Sequence, residues 1–113
     1  MKTLKFRDFK AKMILDETKT SSLRLFDDKN LTKGDELELI NSDTGKAFAH
    51  IQITEIIKNP FSDIHADDLV GHEPFKDYDD MYQTLKNYYP NIRHDTPAKI
   101  IRFKLISKYE NRK

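Results

Sequence analysis

The sequence predicts an α+β domain built as a small, mostly antiparallel β-barrel of about five strands with two or three helices. Three observations carry this. Four runs alternate apolar and polar residues with the two-residue period of a half-buried strand, and a fifth short apolar run opens the chain. Two runs carry helical spacing instead. Five strands with turn signals are too few for a sandwich and lack the regular strand and helix alternation of a parallel sheet.

The first element, Thr3 to Phe6, is short and apolar, and Phe9, Met13 and Ile14 then recur at helical spacing up to about Glu17. From Thr20 the period becomes two, with Leu23 and Leu25 on one face and Ser22 and Arg24 on the other. Lys33-Gly34-Asp35 is a turn signal launching Glu36 to Asn41, where Leu37 and Leu39 alternate with Glu36 and Glu38. Ser42 to Gly45 reads as a hairpin loop. Ala47 to Ile57 follows, with Ala49, Ile51 and Ile53 on one face until Ile56 and Ile57 break the register, which predicts a bulge near Thr54.

Lys58 to Lys76 shows no sustained period, only a helical turn around Ala66 to Leu69 and the punctuation of Pro60, Gly71 and Pro74. Irregular stretches of that length are often functional. Asp77 is the expected N-cap of a helix whose stripe is Tyr78, Met81, Tyr82, Leu85 and Tyr88, halted by Pro90. The last strand is Lys99 to Ser107. One domain over 1–107 and a polar tail over 108–113 account for the chain, with no internal repeat.

Composition narrows the function. Twenty Lys and Arg against 19 Asp and Glu leave a net charge of +1, which argues against a protein that coats nucleic acid by bulk attraction and leaves room only for a local patch. With no Cys, disulfides, thiolate nucleophiles and Cys-based zinc sites are excluded. His50, His65, His72 and His94 form no i, i+4 pair, so no metal is expected. Gly34, Gly45 and Gly71 are isolated, so there is no phosphate-cradling loop, and no cofactor is expected. The opening Met1 to Phe6 lacks the apolar run of a signal peptide, no stretch approaches the roughly 20 apolar residues of a membrane span, and the expectation is a cytoplasmic protein away from the membrane. Oligomeric state is not legible.

The segment that stands out is Lys19-Thr20-Ser21-Ser22-Leu23-Arg24, which packs two cations and three hydroxyls at the mouth of a strand whose other face is apolar. Ser22 and Arg24 share a face, whereas Lys19 has the wrong parity and must reach that face from the preceding turn. A solvated strand edge explains the pattern as well as a site does. The aromatic helix stripe could stack bases, but such stripes usually pack inward. Asp77, Asp79 and Asp80 suit the start of a helix and need no catalytic explanation.

At these residues the sequence resembles the ASCH domain family of the PUA-like superfamily of small β-barrels. The resemblance rests on an order of features covering nearly the whole chain: Lys19 to Arg24, Gly34-Asp35, Gly71-His72-Glu73, Tyr89-Pro90 and the apolar strand Ile100 to Leu105. Two departures stand out: Glu17 occupies a position where the family usually has Gly, and Ser22 one where Thr is common. The resemblance implies recognition of RNA or a modified nucleoside. For some compact members it implies an amidohydrolase that deacetylates N4-acetylcytidine with a Lys, a Thr and a Glu. By position these are Lys19, Ser22 and Glu73, with Arg24 orienting substrate and Thr20 and Ser21 beside it.

Two role assignments follow from that resemblance. In the first, Ser22 attacks the acetyl carbonyl and a neutral Lys19 takes its proton, which requires the lysine to fall from about 10.4 to near 7, at a cost of roughly 4–5 kcal/mol. In the second, Lys19 stays charged beside the oxyanion while Glu73 shuttles protons. A binding module without turnover is the competing reading, with Arg102 or Lys104 extending the patch. A protein-interaction domain is the third.

Overall fold

The computed structural model describes residues 2–26, 29–72 and 74–109. Period-two patterning becomes five strands of one sheet: β1 (Lys2–Phe6), β2 (Ser21–Leu25), β3 (Glu36–Asn41), β4 (Ala47–Pro60) and β5 (Pro97–Lys108). Helix α1 (Asp8–Leu15) follows β1, and α2 (Tyr78–Tyr88) precedes β5. The spatial order is β1-β3-β4-β5-β2, with β1 parallel to β3 and the other pairings antiparallel. The sheet curls into a half-barrel whose two edges are β1 and β2.

The register break in β4 controls which side chains reach which core. Ala49, Ile51 and Ile53 point into one cluster with Leu4, Leu37, Leu39 and the helical residues Ala11 and Ile14. The ladder to β5 then shifts between Ile53 and Glu55, leaving Thr54 unpaired at the expected bulge. One extra residue reverses the parity, so Ile56 rejoins the first cluster and Ile57 turns to the second. That second cluster joins Leu23 and Leu25 of β2 and Ala98 and Ile100 of β5 to Met81 and Leu85 of α2. Strand β5 feeds both, with Ile101 and Phe103 on one side and Ala98 and Ile100 on the other. It continues through Lys108, beyond the expected Ser107, and Tyr109 donates its backbone N–H to the Phe48 carbonyl at 2.9 Å. Residues 110–113 lie outside the described residues.

The irregular middle is ordered by short helical turns at Phe61–Asp63 and Ala66–Leu69, the latter where the sequence places one. Arg102 staples it to the sheet, donating to Glu55 Oε1 at 2.7 Å and to the Asp67 carbonyl at 2.8 Å. Asp77 caps α2 by accepting the Asp80 N–H at 2.8 Å. The helical stripes differ from expectation at their ends: Phe9 is 53% exposed and Tyr88 61%. Helix α1 is only eight residues long, so the sheet buries Ala11 and Ile14 and leaves Phe9 outside.

Helix α1 ends in a Schellman motif. Thr18 N–H donates to the Met13 carbonyl at 3.0 Å and Glu17 N–H to Ile14 at 3.1 Å, with Glu17 itself in left-handed backbone at φ 64°. That is a position for glycine, and a side chain there costs on the order of 1 kcal/mol. Replacement Glu17→Gly is expected to raise stability by about 0.5–1 kcal/mol, or about 4 °C in Tm, and Glu17→Val to lower it. Thermal melts of the three proteins check this, and a lower Tm for Glu17→Gly would remove strain from the account of this turn.

Candidate functional site

Because the sheet is curled but unclosed, its edge strands face each other across a seam, and Arg24 reaches across it. Its Nε donates to Ser22 Oγ at 3.0 Å on its own strand. Its Nη2 makes a longer contact of 3.4 Å with the Lys5 carbonyl on β1, and the guanidinium carbon lies 5.0 Å from the centroid of the Phe6 ring. A cleft of about 310 Å³ opens at this seam. Its floor includes Ser22 and Arg24, its walls come from the end of β1, the start of α1 and the end of α2, and His72 and Phe75 of the middle segment line it as well. The His72 and Phe75 rings stack at 5.4 Å.

The middle segment is docked by backbone. The Gly71 carbonyl accepts from Thr20 N–H at 2.8 Å and from Ser21 N–H at 3.2 Å, at the entry to β2. Gly71 has φ 85°, and a Cβ there would overlap the Thr20 hydroxyl oxygen. Glycine is therefore required twice, by backbone conformation and by proximity.

The predicted site residues are distributed unevenly. Ser22 and Arg24 share the cleft. Lys19 is nearly wholly buried, at 2% exposure, donates its backbone N–H to Met13, and lines a separate small hollow with Glu17, Thr20 and Lys104. Thr20 is exposed outside the cleft, and its carbonyl accepts from Phe103 N–H at 3.0 Å. Ser21 is fully buried with the parity of Leu23, and its hydroxyl has no hydrogen-bond partner among the described residues. Glu73 lies outside the described residues. Arg102 does not line the cleft, because its guanidinium is committed to Glu55 and the Asp67 carbonyl.

Sequence reasoning missed Lys5, Phe9, Lys10, His72, Phe75 and Tyr88, all of which line the cleft. Phe9 and Tyr88 fall on helical stripes whose spacing implies burial, and Lys5, Lys10, His72 and Phe75 carry no shared period, since they come from three separate elements. Arg7 at the rim is anchored to Asp43, whose oxygens lie 2.9 and 3.1 Å from its Nε. Asp43 also accepts the Asp8 backbone N–H at 2.7 Å, and these bonds, the backbone one foremost, hold its carboxyl below the usual carboxylate range. A larger hollow of about 570 Å³ lies on the other side of Arg24, between Lys58–Pro60 and Pro97–Lys99, but presents no hydroxyl beside a cation. Among the described residues no cluster of three or more His, Asp or Glu could hold a metal ion, and no helix is long and apolar enough to cross a membrane.

The docking of Gly71 against Thr20 is testable. Gly71→Ala is expected to destabilise the fold by about 2–3 kcal/mol, and adding Thr20→Ala to recover part of that loss by removing the hydroxyl. Urea unfolding of the single and double variants measures it; additive losses would mean that the two residues do not meet.

No family model matches the chain, and no curated protein matches it in sequence. Solved structures do match in shape. The ASCH domain from Lactobacillus crispatus superposes with a TM-score of 0.73 at 18% identity, covering 96% of this chain and 81% of that one. ASCH from Zymomonas mobilis gives 0.70 at 10% identity, covering 94% and 68%. A DUF984 protein from Enterococcus faecalis gives 0.66 at 15% identity, covering 91% and 73%.

Proposed function

From the premise of an ASCH-like fold, we propose that the seam cleft binds a modified nucleoside or an RNA nucleotide, with Arg24 and Ser22 reading the polar edge of the base. The observation that supports this most directly is the 3.0 Å bond from Arg24 Nε to Ser22 Oγ on the floor of an aromatic-lined cleft. A guanidinium and a hydroxyl fixed together offer donors in a defined plane, and the surrounding rings offer faces on which a base stacks. At about 310 Å³ the cleft lies at the lower end of the size range of small-ligand pockets, suited to one base with its sugar.

A second reading, hydrolysis of an acylated nucleoside such as N4-acetylcytidine, is favoured by the burial of Lys19. Burying an ammonium-bearing side chain is costly, and a catalytic use of the amine would account for its being kept there. Under this reading Ser22 Oγ attacks the acyl carbonyl, its proton passes to Lys19 or Glu73, and the same proton returns to the departing amine. Water then releases the acyl group from Ser22 as a carboxylate. The docking of Gly71, two residues before Glu73, onto Thr20 and Ser21 supports assigning that acid to the same centre.

Incubation of the pure protein with N4-acetylcytidine, followed by detection of cytidine, separates the readings. Hydrolysis is expected to fall roughly 10²–10⁴-fold in Ser22→Ala and Lys19→Met and to survive in Ser22→Thr. Absence of turnover, with binding that weakens about tenfold in Arg24→Ala, leaves the binding module. Absence of both ends the assignment of this cleft.

A further inference from the structure

We infer that the cleft takes its ligand as a phosphorylated nucleotide rather than a neutral nucleoside, with Lys10 as the residue that meets the phosphate. This deepens the proposed function and rests on it. The charge of the lining is one-sided. Lys5, Arg7, Lys10 and Arg24 all line the cleft, and no carboxylate does among the described residues. Arg7 is neutralised by Asp43, and Asp8 at the start of α1 is turned to Asn41 and Lys12, at 2.9 and 3.1 Å. Adding Glu73 as the proposed function does still leaves the cleft positive. A chain whose net charge is only +1 has concentrated cations where a neutral nucleoside has no use for them.

The geometry at the mouth indicates where the anion sits. Phe9 and Tyr88 are among the few large apolar side chains left exposed among the described residues, and both are on this rim. The Lys10 ammonium lies over both rings, 5.8 Å from the Phe9 centroid and 5.5 Å from that of Tyr88. Two rings holding one cation at the entrance, with Ser22 and Arg24 on the floor, match the layout of a nucleotide: base inward, phosphate outward. Contact with both rings fixes the ammonium at this rim, which places a positive charge where an anion would enter.

The phosphate could be the monoester of a free nucleotide or a diester in an RNA strand, and the experiment carries an arm for each. Affinities are measured by calorimetry at low salt for N4-acetylcytidine, its 5′-monophosphate and a short RNA carrying the same base. The monophosphate, the RNA, or both are expected to bind about tenfold tighter than the nucleoside. Raising the ionic strength is expected to shrink that advantage, and Lys10→Gln to cut it to about threefold or less. Equal affinity for all three, or an advantage untouched by Lys10→Gln, overturns this inference and leaves the cleft a nucleoside site. Binding of none overturns the inference together with the proposed function. Tighter binding of the RNA alone assigns the phosphate to a strand.

Discussion

The structure depends on a sheet that curls without closing. Five strands of this length, with a bulge near the middle of the longest, bring β1 and β2 face to face with no ladder between them among the described residues. An unpaired edge is a liability, and here both edges are partly covered by side chains and helices in place of a neighbouring strand. Arg24 spans the gap to the Lys5 carbonyl and the Phe6 ring, α1 and α2 flank it, and what remains uncovered is the cleft. The site is a consequence of how the barrel stops short.

Placement on an edge strand has chemical value. Strand β2 is held from behind by Leu23 and Leu25 against α2 and from one side by the ladder to β5, so Ser22 and Arg24 project from a rigid base. Their mutual hydrogen bond removes rotamer freedom that a ligand would otherwise have to freeze out. The hydroxyl accepts from the guanidinium, leaving its own proton to be given to a base or a ligand.

Two tight turns hold the entry to this strand in place, one at a cost in backbone strain and the other through an approach that only glycine allows. Glu17 sits in left-handed backbone so that the chain can leave α1 and enter the buried Lys19, and Gly71 lies against Thr20 with no room for a side chain. Positive φ on a residue other than glycine persists only where the surroundings require it. Glu17 lies two residues before Lys19 and the Gly71 carbonyl accepts from Thr20 and Ser21, so both features fall where the cleft is assembled.

Local chemistry was enough to read much of this from the chain. The parity of Leu23 and Leu25 against Ser22 and Arg24, the broken register at Thr54, the turn at Ala66–Leu69 and the Asp77 cap all depend on neighbours in sequence, and all are present. What the amino acids could not specify by themselves is the identity of the cleft's walls. Phe9 and Tyr88 obey a helical period that implies burial, yet both are exposed, because burial depends on what lies opposite a helix and not on its own spacing. Lys10 shares a cleft with Ser22 because a curled sheet brings its edge strands together, and His72 and Phe75 share it because the Gly71 carbonyl docks on Thr20 and Ser21. Sequence by itself determined the elements and the polar face of β2; the tertiary structure decided which distant residues that face would meet, since contacts across a seam are set by closure of the whole sheet.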